Sequence, residues 1–437
     1  MNQTLASAAR SAEIRAAHAQ HLFPAVKPYY AEPLVLVEGS GVWVTDADGR
    51  EYLDFFSGIL TTALGHCHPE VVERLRQQLG RLGHTSTLYL NEPQVAAARR
   101  LAQIAPGRLS QTFFTNSGSE AIETAITIAY HYTGRRDVIA LRHAYAGRTF
   151  LTSTITGHAG WRPLGATIPG IVHARAPNPY RCPFGSPCDD ACIDAWILEL
   201  EEVIDTTTSG RPAAFIVEPI QGVGGFVVMP PAYLQRAAEL IRERGGLFIA
   251  DEVQTGFGRT GGHWFGIEHA AVEPDIMVMA KGIANGMPVG ATITRPEIAA
   301  AWTGKTISTF GGNPVSMAAV DVTLDVMVRE DTPSRAAERG RQIRAGLDAL
   351  RAAHDWIGDV RGLGLMQALE LVERRATKQP SPRRTQAVLE AAREEGLLLG
   401  ISGLHGNVIR MAPSLLISEA ETAEALARLA RACDRVA

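Results

Sequence analysis

Only four of the 42 basic residues in this 437-residue chain are lysines: Lys27, Lys281, Lys305 and Lys378. Chemistry that needs a primary amine therefore has four places to occur. Lys27 lies beside Pro28, Lys305 follows Gly304, and Lys378 sits in the polar stretch ERRATKQPSPRR, settings that read as solvent-exposed. Lys281 differs, because it closes the apolar run DIMVMA. Lysine is almost never placed so unless it is paired, reactive, or snorkelling its amine to water. Desolvation there would lower the ammonium's pKa and leave a nucleophilic amine.

Two further segments carry complementary groups. Thirty residues before Lys281, the run LFIA ends in Asp251 and Glu252. Asp251 continues the strand, so its charge needs a cation or a donor unless it is solvated at the sheet edge. In FFTNSGSE (113–120) a strand gives way to a helix, with Ser117 and Glu120 at capping-box spacing. Gly118 permits close backbone approach. The free N–H groups and the Ser117 and Ser119 hydroxyls suit an anion, phosphate above all. Taken alone, this segment reads equally well as an ordinary capped helix.

One ligand would use all three segments. Pyridoxal 5′-phosphate has a phosphate, a ring nitrogen that must stay protonated, and an aldehyde that forms an imine with lysine. Asp251 would hold the ring proton, and Lys281 would carry the imine and shuttle the substrate's α-proton.

These groups need a scaffold that brings strand ends together. Strands are expected at 112–115, 137–141, 213–217, 247–250, 275–279 and 289–294, with helices at 70–82, 93–104, 119–131 and 230–244. Alternation of this kind predicts a mostly parallel sheet covered on both faces, with ligands beyond the carboxyl ends of its strands. Residues 34–44 alternate, and DADGREYLDF reads as a hairpin turning at Asp48-Gly49. After about residue 325, long helical patterns (334–354, 384–395, 419–436) surround RGLGLMQALEL and NVIRMAPS, the texture of a smaller α+β domain. The expected division is 1–60 (part of the small domain), 61–325 (large domain) and 326–437 (C-terminal small domain). Residues 373–384 read as a mobile polar loop.

Composition narrows the partners. Net charge is 42 − 46 = −4, so nucleic acid and anionic membrane are poor candidates. No apolar run approaches a membrane span, and the N-terminus lacks the apolar core of a secretory signal; rich in Ala, Arg and Ser, it resembles an organelle presequence, but Glu13 and the spacing favour a plain amphipathic helix. Five cysteines, Cys67, Cys182, Cys188, Cys192 and Cys433, favour a reducing cytoplasm over a disulfide framework. The spacing of Cys182, Cys188 and Cys192 does not suit zinc, and no metal is expected. His66-Cys67-His68 reads as structural. Gly304-Lys305-Thr306 lacks the first glycine of a P-loop, and Gly222-Val223-Gly224 lacks the third of a dinucleotide fingerprint.

NSGSEAIE, EPIQGVGGF, IADEVQTGFGRTG, MAKGIANGMPVGA and TFGGNP, in that order, resemble the class III aminotransferases. The resemblance implies the fold-type-I pyridoxal-phosphate architecture over nearly the whole chain. It implies that Ser117, Gly118 and Ser119 bind phosphate and that Tyr145 stacks on the ring. Glu218 would lie behind the ring, Val253 would pack under it and Gln254 would reach its hydroxyl. Asp251 would pair with the ring nitrogen and Lys281 would be the Schiff-base lysine. Thr309 would reach the phosphate of a neighbouring subunit, which implies a homodimer with shared sites and leaves a dimer of dimers open. Arg410 matches the arginine for the substrate carboxylate, and Ile59, Leu60, Tyr89 and Trp161 are candidates for the pocket wall.

Two departures from the family bear on substrate. Tyr145-Ala146-Gly147 stands where many members have Tyr-His-Gly. Val223 stands where members with ω-amino donors often carry a glutamate that masks the arginine, so Arg410 is expected to stay available. HTSTLYLNEPQ and PNPYRCPFG look closest to the alanine–glyoxylate and ω-amino acid:pyruvate branches. The resemblance thus implies transfer of an amino group from an amino acid or ω-amine to pyruvate or glyoxylate by a ping-pong mechanism. A lyase, decarboxylase or aminomutase on the same fold is the alternative, since fold alone does not fix reaction.

Overall fold

The central strands are almost uniformly apolar because both of their faces are covered. Ala214–Val217, Leu247–Asp251 and Ile276–Met279 are buried at every residue. In the computed structural model, which describes residues 2–162, 165, 167–185 and 189–436, they form the middle of a seven-stranded sheet. Its order is Gln111–Thr115, Gly290–Thr294, Ile276–Met279, Leu247–Asp251, Ala214–Val217, Val138–Leu141, Ile171–Ala174. Every pairing is parallel except the two made by Gly290–Thr294, which runs against both neighbours. The sheet is therefore mostly parallel, and most of its strands deliver their carboxyl ends to one side.

Helix punctuation follows local chemistry. Helix Gly118–Thr133 starts on the Ser117 side chain, which accepts from Glu120 N at 3.2 Å, and stops at Gly134 with φ +70°. The expected reciprocal bond is displaced by one residue, because Glu120 Oε2 accepts from Asn116 N and Asn116 Nδ2. Pro231–Glu243 opens on proline, and Gly245 follows its end at φ +74°.

Beyond the large sheet, Ile357–Leu363, Met366–Leu371, Val408–Met411 and Gly400–Ser402 form an antiparallel sheet in that order. Helix Thr332–Ala353 packs against its first two strands, while Pro382–Glu394 and Glu419–Asp434 pack against each other. Trp43–Asp46 and Glu51–Asp54 form the expected hairpin, Leu36–Ser40 pairs with Trp43–Asp46 in a second one, and Leu397–Leu398 adds to the edge in parallel. Residues within 36–54 thus share a sheet with Leu397–Leu398 of the C-terminal region.

Several expectations need correction. Residues 373–384 are not simply a loop, because helix Pro382–Glu394 begins inside them and a bridge joins Val372 to Pro380. Lys378 is not a free surface lysine: its Nζ donates to Tyr180 O at 2.9 Å and lies 4.7 Å from that ring's centre. Helix Asp190–Thr207 and edge strand Ile171–Ala174 were not anticipated, although Asp189 caps the helix in the usual way. Cys188 falls outside the described residues. His66 Nε2 lies 2.8 Å from Asp54 Oδ2, a packing role for that histidine. Among the described residues, no helix is long and apolar enough to cross a membrane, and no group of His, Cys, Asp or Glu is arranged to hold a metal.

Candidate active site

The strand ends converge on a cavity of about 610 Å³, a volume typical of small-ligand sites. Lys281, Asp251, Glu218, Tyr145, Val253 and Gln254 line it, together with the turn Ser117, Gly118 and Ser119. Sequence reading named all of these. It did not name Thr61, Arg148, Thr149, Met287 and Pro288, which line it too. The matched stretch GMPVGA was the one signal pointing to the last two.

Lys281 does not end the strand. Ala280 intervenes, and Lys281 opens a short 3-10 turn, Lys281–Ala284, with φ +50°. A left-handed lysine is strained, and such strain persists where the surroundings over-determine it. Burial lowers its ammonium to about 8, against the opposing pull of Asp251 and Glu218. The amine is thus poised to lose its proton near neutral pH.

The facing carboxylates move the other way. Burial raises Asp251 to about 6, although the Val253 N–H donating to its Oδ1 at 3.0 Å and the Lys281 charge both pull it down. Glu218 accepts from Tyr145 N at 3.1 Å and Gly222 N at 2.8 Å. Burial and then the Asp251 charge push it up to about 8.

At the other end, Ser119 Oγ accepts from Arg148 N at 3.3 Å, and a Cβ on Gly147 would lie 2.0 Å from that oxygen. A Cβ on Gly118 would come within 3.3 Å of Val253. The Ser117–Ser119 turn at the helix start, Gly147 and Arg148 all line the cavity, an arrangement that suits a phosphate. Gln254 Oε1 is buried without a partner, as expected of an acceptor waiting for a ligand hydroxyl. The donor set fits pyridoxal phosphate at three separate points.

The expected substrate residues are scattered. Arg410 is buried and does not line the cavity. Its guanidinium lies 4.9 Å from the Phe56 ring centre and 5.3 Å from that of Phe226. Nη1 donates to Gly222 O and Nη2 to Ile401 O, each at 3.3 Å, while Nε has no partner. Burial lowers its pKa, opposed by Tyr29 and Glu218. Leu60 is buried in the apolar cluster that includes Phe56 and Phe226, outside the cavity. Trp161 is exposed and meets the Tyr145 ring edge-on at 5.7 Å. Tyr89, Ile59 and Thr309 are exposed, and none lines this chain's own cavity.

A mostly parallel sheet whose strand ends present an amine, raised carboxyls and a phosphate cradle defines a pyridoxal-phosphate enzyme of fold type I. Residues 26–433 match the aminotransferase class-III family, and the chain belongs to it. Pyridoxal 5′-phosphate is its cofactor. It is 43% identical over 401 residues to alanine–glyoxylate aminotransferase 2 homolog 2 of Arabidopsis thaliana, covering 92% of this chain and 83% of that protein. Its fold matches an (S)-enantioselective omega-transaminase from Thermomicrobium roseum with a TM-score of 0.90 at 36% identity, over 97% of this chain and 98% of that one. It also matches a PLP-bound amine transaminase from an uncultivated Pseudomonas species, with a TM-score of 0.89 at 32% identity, over 95% and 98% of the two chains.

Proposed function

We propose that this aminotransferase takes its amino group from an amino acid or ω-amine and delivers it to a short 2-oxo acid, pyruvate or glyoxylate. The observation that carries the site assignment is Lys281, whose amine burial lowers to about 8 in the same cavity as Asp251 and Glu218. When bound, the cofactor supplies a carbonyl that captures amines and a ring that takes up electron density. Lys281 Nζ would anchor that carbonyl until the substrate amine displaces it, and the freed amine would then move the α-proton, first as base and then as acid. Asp251 holds a proton at the ring nitrogen. Glu218 fixes the backbone at Tyr145 and Gly222, while Tyr145 and Val253 would pack on the ring and Gln254 would take its hydroxyl. Ser117, Gly118 and Ser119 bind the phosphate.

Arg410 is assigned to the substrate carboxylate on the family match: it lies outside the cavity wall, but its buried Nε lacks an acceptor, which a carboxylate would supply once the side chain turned inward. Val223 provides no charge to compete with that carboxylate. With Arg148 beside the phosphate and Lys281 on the carbonyl, no other Lys or Arg among the described residues lines the cavity for a second carboxylate, and burying it unpaired is costly. Steady-state kinetics with pyruvate, glyoxylate and 2-oxoglutarate against one donor should show 2-oxoglutarate as the poorest acceptor, and a preference for it overturns the acceptor assignment. Release of ammonia in place of stoichiometric transfer would identify a lyase.

Thr309 belongs to a second site, on a partner. It sits between exposed Ile307 and Phe310, and exposed Tyr89 and Leu90 add to the apolar surface of this chain. A second copy covering that surface gives a homodimer with shared sites, which the mass in solution tests. The sparse cysteines favour the cytoplasm, whereas the Arabidopsis relative is named as mitochondrial.

A further inference from the structure

The turn 222–226, GVGGF, touches more of the site than any motif reading assigned to it. Gly222 N donates to Glu218, and Gly222 O accepts from Arg410. A Cβ on Gly222 would lie 2.0 Å from Gln254 Nε2. Phe226 holds a left-handed φ of +54° and places its ring against the Arg410 guanidinium. A small displacement of this turn therefore moves the surroundings of Arg410.

What fixes the turn comes from the C-terminal sheet. Arg361 Nε donates to Gly225 O at 2.7 Å, and Gly403 N donates to Val223 O at 2.9 Å. Arg361 is itself held by two carboxylates, since its Nη1 donates to Glu370 Oε2 at 2.6 Å and Asp359 Oδ2 at 2.9 Å. The other oxygen of Glu370 accepts from Arg181 Nε at 2.6 Å and Asn407 Nδ2 at 3.3 Å. Glu370 is deeply buried, and burial alone would raise its pKa, yet Arg361 and Arg181 outweigh burial and hold it below the ordinary carboxylate value. The guanidinium fork lets one side chain meet a carbonyl and two carboxylates at fixed angles, which a lysine's single nitrogen cannot reproduce.

We infer that Arg361, anchored by Glu370, is a positioning residue for carboxylate recognition: it pins the 222–226 turn and so sets where Arg410 rests and how readily it meets a substrate carboxylate. Arg361 touches neither the cavity nor the reacting atoms, so it acts through the turn. The inference rests on reading Arg410 as the carboxylate-binding group.

The test uses the cofactor-loaded enzyme and two probes. Propionate, which has a carboxylate and no amine, is measured as a competitor against alanine. Propylamine, which has an amine and no carboxylate, is measured by its effect on cofactor absorbance. In Arg361→Lys, the propionate inhibition constant and the KM for alanine should each rise about five- to tenfold, a coupling of ordinary size, with kcat within about twofold and propylamine affinity unchanged. Glu370→Gln should shift the same two constants in the same direction by less, and it supplies the test if Arg361→Lys does not fold. Arg410→Leu should raise both constants further, and Arg361→Lys should add nothing in that background. If Arg410→Leu leaves propionate inhibition unchanged, the reading of Arg410 fails. If Arg410→Leu acts but Arg361→Lys shifts both probes equally, leaves propionate unchanged, or adds fully to Arg410→Leu, the role of Arg361 is overturned.

Discussion

Two buried carboxylate clusters meet at the 222–226 turn, and they carry opposite electrostatics. Asp251 and Glu370 are similarly hidden, at 5% and 3% exposure. Asp251 has one backbone donor and a lysine whose own charge burial weakens, so its pKa rises. Glu370 has two arginines and an asparagine, so its pKa falls despite burial. Depth of burial does not distinguish them; the completeness of pairing does. A fully paired charge is held still and serves geometry, whereas an under-paired one is free to exchange protons with a ligand.

The sharpest way to break this comparison is to remove the amine. Lys281→Ala should lower turnover by at least roughly 10²–10⁴-fold from lost proton transfer alone. Borohydride reduction and peptide mapping of the native protein should place the cofactor on Lys281, and a label on Lys27, Lys305 or Lys378 would discredit the site.

Asp251→Asn should keep the cofactor, because the phosphate cradle and Lys281 remain, but slow turnover by about 10²–10³-fold. The same change should help the cofactor-free fold. Asp251 is raised from 3.8 to about 6, so the stability linked to its proton is intact at low pH and lost as pH rises through about 6. Removing the charge should therefore stabilise the cofactor-free protein by about 1–3 kcal/mol at neutral pH, read by denaturant titration.

Glu370→Gln should do the reverse. Its lowered pKa means a contribution present above the ordinary value of 4.5 and lost as pH falls below it. The variant should lose about 1–3 kcal/mol at neutral pH and show a shallower decline than the native protein on acidification. Equal signs for the Asp251 and Glu370 variants would erase the distinction between the clusters.

The mildest effect is kinetic. Cofactor capture by the cofactor-free protein needs the neutral amine, and Lys281 is lowered from 10.5 to about 8. Stopped-flow capture rates should rise about tenfold per pH unit below that value and level off above it. A rise continuing to pH 10 would mean that burial does not weaken the ammonium.

The cofactor end was legible because each of its groups lies at a strand end within a contiguous motif. An apolar run that terminates in lysine or aspartate announces a buried charge without any knowledge of the fold, and a parallel sheet gathers such ends on one side. FFTNSGSE, LFIADE and DIMVMAK therefore placed Ser117, Asp251 and Lys281 together before any coordinates. The substrate end was not legible in that way. Arg410 meets Gly222 across 188 residues, and Arg181 meets Glu370 across 189. Motif matching supplied Arg410 but could not show that Phe56 and Phe226 hold it outside the cavity. It gave no role to Arg361, Glu370 or Arg181. Local sequence showed which strand-end groups are buried, since an apolar run on either side implies cover. Only the tertiary structure decided which charges are neutralised, because a partner's distance depends on how two sheets and the turn between them pack.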